Sequence, residues 1–232
     1  MISVTRKVIM SDTNPASPPL RLPIGTIDGV VFDVVAWGPA QAAVDFSVAC
    51  MFEHEMGTAG MTGGLLALDT ALGGHLAQVR AAGVFRAQPM ETLLVASPRP
   101  GLAARTVLVI GLGDPATLDG ERLQRACCVA MREAICHGAR TMAFAPSVLD
   151  AGHLDNAALN MQEVMLAGML EALRAKQMLA AAGLTAAPML RHCTFDVGAP
   201  RAAAAAQAFA AAFARLTSPA RDAASGPASC PM

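Results

Sequence analysis

Glycines beside strand-like runs are the residues here best suited to holding a ligand. Gly111-Leu112-Gly113-Asp114 follows the apolar run 105–110 and precedes a helix-forming segment. Backbone amides exposed by glycine at a helix entrance cradle phosphate or another small anion. Ligands of open α/β sheets also sit beyond the carboxyl ends of strands. A second glycine-rich stretch, Gly57-Thr-Ala-Gly-Met-Thr-Gly-Gly64, enters a leucine-striped helix. Gly111, Gly113, Asp114, Gly63 and Gly64 are therefore the candidate ligand-binding residues, for a small anionic ligand. The first group predicts that Gly111→Val abolishes ligand binding and leaves the fold intact. Both stretches have another reading: a tight turn that needs glycine dihedrals at 111–113, and a flexible helix-entry loop at 57–64. Neither is a Gly-x-Gly-x-x-Gly fingerprint or a P-loop, since no Lys-Ser/Thr pair follows. Asp114 would repel a phosphate unless it turned away or bonded a ribose hydroxyl.

Other chemistries find no pattern. Glu53-His54-Glu55 lacks the His-Glu-x-x-His spacing, and alternation along a strand splits His54 from its neighbours, so it reads as a solvated strand end. His75, His137, His153 and His192 are scattered without ligand spacing. The cysteines at 50, 127, 128, 136, 193 and 230 form no Cys-x-x-Cys pair and read as free thiols in a core. No Gly-x-Ser-x-Gly elbow is present. No catalytic residue, metal site or cofactor is expected. With a net charge of −1 and 4% aromatic residues, the chain has neither the basic footprint nor the stacking surface of a nucleic-acid binder. Its most apolar run, 202–213, is mostly Ala and far short of the roughly twenty residues of a membrane span. Residues 1–10 show no signal-peptide pattern, so a cytoplasmic protein is expected.

The elements that must position these residues alternate between strand-like and helix-like. Val30-Val-Phe-Asp-Val-Val-Ala-Trp37 is β-branched and 44–52 alternates at period two, so both read as strands. Leu65, Leu68, Leu72, Leu76 and Val79 form one stripe, which predicts a helix over 64–82. Strands are expected at 91–97 and 105–110, joined by the turn Pro98-Arg-Pro-Gly101. A helix over 120–137, with Asp119 as N-cap and Gly138 after it, follows. A buried strand at 141–146, a helix at 156–182, a strand at 189–197 and a helix at 201–216 complete the order. About six strands with interleaved helices make a three-layer α/β/α sandwich, and the hairpin-like link at 98–104 makes the sheet mixed. The chain divides into a leader and linker at 1–20, one domain at 21–216 and a tail at 217–232.

Leu68-Asp69 with Leu72-Gly73-Gly74-His75-Leu76, the strand ending Gly111-Leu112-Gly113, and Arg122-Leu123-Gln124-Arg125-Ala126 occur in a telling order. That order resembles the N-terminal domain of the leucyl (cytosol) aminopeptidases, which is related in fold to macro domains. The resemblance covers roughly 30–215. It departs where the family carries a Gly-Lys-x-Gly-Glu-Thr-like turn. Here Ala87-Gln88-Pro89-Met90-Glu91-Thr92 keeps only the last two residues. In that family the domain is non-catalytic, packs on the metallopeptidase domain and helps organise a hexamer. The catalytic domain's metal-binding Lys, Asp and Glu, with its Asn-Thr-Asp-Ala-Glu-Gly-Arg run, have no counterpart before Met232. Thr194-Phe195-Asp196-Val197-Gly198 echoes a catalytic-site motif but lacks the upstream Gly-Lys-Gly and the second glycine, so it reads as a chance match.

The resemblance implies a stand-alone, non-catalytic homologue of that domain, acting by self-association as a homo-oligomer or by contact with a partner protein. Two surfaces suit that role: the Phe209, Phe213 and Leu216 stripe, and the long Met-rich helix carrying Met161, Met165, Met169 and Met178. Burial in the domain's own core would account for them equally. The alternative is a macro-domain-like binder of a nucleotide or ADP-ribose-type molecule, although the macro family's Asn-Ala-Ala-Asn signature is not visible.

Overall fold

A computed structural model describes residues 20–96, 100–146 and 160–218. The leader and the tail expected at the two ends therefore lie almost wholly outside the described residues, as do Pro98 and Arg99 of the expected turn. The strands are β1 (Leu22–Ile27), β2 (Val30–Val35), β3 (Phe46–Phe52), β4 (Thr92–Val95), β5 (Thr106–Gly113), β6 (Thr141–Ala145) and β7 (His192–Asp196). They form one sheet in the order β1-β2-β7-β6-β3-β5-β4. The five inner strands run parallel and the two edge strands antiparallel. The sheet thus has seven strands, not six. The extra one is β1, whose Pro23 and Gly25 break strand alternation and coincide with a register shift against β2.

Two helical layers cover the sheet because the strand residues alternate. Phe32 and Val34 of β2, Val48 and Cys50 of β3, and Leu108 and Ile110 of β5 face one core. The helices α4 (Gly120–Cys136), α5 (Met161–Ala181) and α6 (Ala202–Thr217) close it. Ala49, Met51, Val107 and Val109 point the other way, where Leu65, Leu68, Leu72 and Leu76 close a second, smaller core. Those leucines do not share one helix. α2 (Gly63–Ala71) stops before Leu72, and α3 (His75–Ala81) restarts after Gly73 and Gly74, whose φ values are +69° and +79°. The apolar stripe of 64–82 is real, but two left-handed glycines bend the chain in its middle. A further short helix, α1 (Gly57–Gly60), follows β3.

Local signals fix the other helix starts. Asp119 accepts the Arg122 amide at 2.8 Å and begins α4 as expected. Asn160 accepts the Glu163 amide at 3.2 Å while its own amide donates to the Glu163 carboxylate at 2.9 Å, which places the start of α5 at Met161. α4 and α5 cross tightly at Gly168. A Cβ added there would lie 2.1 Å from the Gln124 carbonyl oxygen, which is backbone and cannot swing aside. Gly168→Ala is therefore expected to cost about 1–3 kcal/mol through helix separation, read as a lower urea midpoint with an unchanged slope.

None of the five described cysteines forms a disulfide, and Cys50, Cys127 and Cys193 are buried. Burial, with Glu55 beside it, pushes the Cys50 thiol up to about 12. Burial likewise raises Cys127 and Cys193, so these thiols stay protonated and behave as small apolar groups. Phe209 and Phe213 are buried in the main core, Phe209 stacked on Phe195 at 4.1 Å between centroids. This part of the α6 stripe is core rather than an external surface. So are Met161, Met165 and Met169, whereas Met178 is exposed.

Candidate functional site

Neighbouring strands β3 and β6 send their chains to opposite faces of the sheet. β3 leads to α2 and α3, and β6 leads to α5 on the other side. Such a switch opens a crevice at the carboxyl ends of the strands. A cavity of about 260 Å³ lies there, bounded by the chain ends that leave β2, β3, β6 and β7. Its wall includes Trp37, Pro39, Glu55, Gly64, Pro146 and Asp196.

Each wall is held by backbone. The ends of β2 and β7 are tied by the Val197 amide donating to the Val35 carbonyl at 2.9 Å. The Trp37 amide donates to Asp196 Oδ1 at 3.1 Å. Ser47 donates to the Pro39 carbonyl at 3.2 Å, which pins the turn after β2 over the sheet. The first turn of α2 then packs on Pro39 so closely that a Cβ on Gly64 would sit 2.8 Å from the proline ring. Glu55 accepts the Phe52 amide at 2.7 Å and is buried, whereas Glu53 and His54 are exposed, so the expected solvated strand end holds for the first two residues and not for Glu55. Its outer neighbour His54 stacks on Phe52. Buried Arg80 braces the same turn, donating to the Glu53 carbonyl at 2.5 Å and to the Phe85 carbonyl at 3.2 Å.

Of the five candidate residues, Gly64 lines this cavity and Gly63 stands next to it, at φ +52° where α2 begins. Gly111, Gly113 and Asp114 are not among its lining residues. The turn 87–91 folds back over the two glycines: the Met90 amide donates to the Gly111 carbonyl, and the Gly113 amide to Ala87. Asp114 turns inward on its own loop and accepts the Ala116 amide at 2.9 Å. The structure thus keeps 111–113 at the end of β5 beneath the turn 87–91, with a positive φ at Gly113 but not at Gly111, and brings Thr62 and Gly64 of the 57–64 stretch to the cavity. Trp37, Glu55 and Asp196 went unassigned at the level of sequence. Asp196 sits in the Thr194–Gly198 run, where its place at a strand's carboxyl end was the available signal.

Among the described residues the lining carries two carboxylates, Glu55 and Asp196, and no Lys or Arg. The positive end of the site is the entrance of α2, where Thr62, Gly64 and Leu65 line the cavity and Thr62 makes no side-chain cap. Among the described residues no three His, Cys, Asp or Glu side chains converge as metal ligands. Two-metal hydrolysis needs several converging carboxylates and has no fit among them. No helix of the described residues is long and apolar enough to cross a membrane.

The cytosol aminopeptidase family's N-terminal domain matches residues 51–177, more than half of the chain. The chain belongs to that family. A probable cytosol aminopeptidase of Acidobacterium capsulatum is 39% identical over 70 residues, a span of 30% of this chain and 14% of that protein. Among solved structures, a mutant tomato leucine aminopeptidase aligns with TM-score 0.55 at 15% identity, covering 80% of this chain and 36% of that one. An Oceanobacillus iheyensis macrodomain with ADP aligns with TM-score 0.58 at 12% identity, covering 86% and 98%. A Trypanosoma brucei macrodomain in complex with ADP-ribose aligns with TM-score 0.57 at 18% identity, covering 83% and 74%. The chain is therefore macrodomain-like in fold, as its resemblance to the aminopeptidase domain implied.

Proposed function

We propose that this domain is a binding module of the cytosol aminopeptidase family whose cavity takes a nucleotide or ADP-ribose-type small molecule without catalysing a reaction on it. The observation that carries this reading is the cavity's place at the switch between β3 and β6. The two macrodomain relatives, which hold ADP and ADP-ribose, support it. The lining divides the ligand's chemistry. Hydroxyl or amino donors suit the Glu55 and Asp196 side of the wall, and an anionic group suits the amides at the entrance of α2. A volume of 260 Å³ is near the small end of ligand pockets, which run from roughly 300 Å³ upwards. One nucleoside-sized portion of a larger molecule fills it.

A thermal-shift titration with ADP-ribose and AMP tests the proposal. Ligand at a hundred times its dissociation constant stabilises by about 2.7 kcal/mol, which raises the melting temperature of a domain this size by several degrees. A dose-dependent rise is the expected result. No rise with either compound at millimolar concentration would sink the proposal.

A second reading, self-association or partner contact, has its own observation. From Arg174 to Met189 no residue is fully buried, and Met178, Leu179, Leu184 and Met189 stand exposed at the end of α5. Such a patch on a projecting helix is the kind of surface a second protein covers. This reading predicts a mass that rises with concentration in sedimentation, and loss of that rise in Met178→Glu.

A further inference from the structure

The sheet ends differently at its two edges. β1 carries Pro23 and a register shift against β2, features that spoil an edge for further pairing. β4 carries neither. Its residues Thr92-Leu-Leu-Val95 run in unbroken register against Ile110 to Val107, with no proline and no charge. The Gly111 amide donates to the Glu91 carbonyl, so the alternating ladder bonds of this pair fall on Glu91, Leu93 and Val95. Thr92 and Leu94 therefore turn their amides and carbonyls to the free edge, which no described strand pairs. Leu94 also stands exposed there. On the side of α2 and α3 lies a groove of about 310 Å³, walled by Leu72, His75, Leu76, Val79, Leu93 and Val95.

An open antiparallel edge is complementary to itself, because a half-turn brings its donors onto its acceptors. Charge does not oppose that match. Among the described residues neither the strand nor the groove wall holds Asp, Glu, Lys or Arg, and a half-turn puts Glu91 and its copy at opposite ends of the pair. We infer that β4 pairs with β4 of a second copy of this chain, antiparallel about a two-fold axis at Leu93. Thr92 then exchanges both its main-chain bonds with Leu94 of the partner subunit. The two Leu93 side chains meet where the grooves adjoin, and the grooves close into one apolar seam. A strand of 4 residues is a small contact, at the weak end of protein interfaces, so the pairing follows protein concentration. This inference stands apart from the cavity reading, and it places self-association at the sheet edge rather than at the end of α5.

Amide hydrogen exchange of the full chain, read residue by residue in dilute and in millimolar solution, tests the pairing. Leu93 and Val95 are protected by β5 at every concentration. Thr92 and Leu94 should exchange freely when dilute and about tenfold more slowly when concentrated, while the mass in sedimentation rises towards that of two chains. Leu94→Lys puts a charge on the edge and should hold the mass at one chain with an unchanged melting temperature. Met178→Glu should leave the pairing intact. Fast exchange at Thr92 and Leu94 at every concentration would overturn the inference. So would slow exchange at the mass of one chain, which would mean that the chain covers its own edge. A rise in mass that Met178→Glu abolishes and Leu94→Lys does not would move the interface to α5. The exchange is read on the unmodified protein, so it decides the matter even if Leu94→Lys fails to fold.

Discussion

Gly111→Val is expected to destabilise the domain by about 4 kcal/mol or more, so it cannot separate ligand binding from folding as the sequence suggests. β5 lies one strand from the sheet edge, and the turn 87–91 folds onto it. The Gly111 amide donates to the Glu91 carbonyl at 2.8 Å, and the Met90 amide donates back to the Gly111 carbonyl at 3.0 Å. A Cβ on residue 111 would lie 2.2 Å from the Gln88 carbonyl oxygen and 2.5 Å from the Ala87 carbonyl carbon. Both are backbone atoms, and Ala87 and Met90 already hold positive φ values of 59° and 65°. The turn has no slack, so a side chain must expel it. Overpacking costs about 1–3 kcal/mol, and each lost hydrogen bond adds about 0.5–1.5 kcal/mol. Valine's branched side chain raises the total past about 4 kcal/mol, a large part of the roughly 5–15 kcal/mol that holds a domain together. Urea unfolding followed by circular dichroism should show a far lower midpoint for this variant than for the parent. A normal transition would mean that the turn moves aside.

That result shows where the sequence was legible. The parallel strands announced themselves: β5 reads Thr-Val-Leu-Val-Ile, and a strand buried on both faces has no reason to alternate. The cap at Asp119 is a local signal for local geometry, whereas the Asn160 cap of α5 went unread and the expected helix began at 156. β1 was not legible, because the reason for its Gly25 lies in a different part of the chain. The Phe213 ring of α6 comes within 2.4 Å of where a Cβ would be. The break in the 64–82 helix was legible in Gly73-Gly74, yet the leucine stripe continues across it and hides it. The cavity was least legible. Its wall comes from 36–39, 49–50, 55, 62, 64–65, 145–146 and 196–199, brought together by sheet order rather than by spacing. Sequence patterning finds glycines that permit close approach, but not what approaches them. At Gly64 it is Pro39 and the cavity, and at Gly111 it is the chain's own turn.

Asp33→Ala should cost about 3 kcal/mol at neutral pH and progressively less in acid. A carboxylate inside Val30-Val-Phe-Asp-Val-Val is out of place unless it is paired. Asp33 points away from Phe32 and Val34, and its side chain is 5% exposed. It accepts Thr194 at 2.7 Å on one oxygen. The other accepts Arg21 at 2.9 Å and His192 Nε2 at 2.7 Å. Nε2 must therefore carry the proton, and its 3.3 Å approach to Arg21 is a contact between two donors. Burial alone would raise the Asp33 pKa, but the bonds from His192, Arg21 and Thr194 outweigh it and hold it below the ordinary 3.8. A carboxylate whose folded pKa lies below its unfolded one adds stability above the unfolded value and loses it as pH falls through the folded value. Removing one partner of a buried pair costs about 3–5 kcal/mol, and solvent around Arg21 and His192 keeps this case at the low end. Urea midpoints should therefore differ widely between parent and variant at pH 7 and converge in acid, as pH falls through the lowered folded pKa of Asp33. A gap that stays constant with pH would assign the stability to packing rather than to charge. The Arg21 guanidinium covers the Trp37 ring at 5.1 Å from its centroid, so the same variant frees Arg21 from its anchor and unclamps the indole. At pH 7, where the domain remains folded, its emission should move to the red, whereas an Arg21 held by other contacts would leave the emission unchanged.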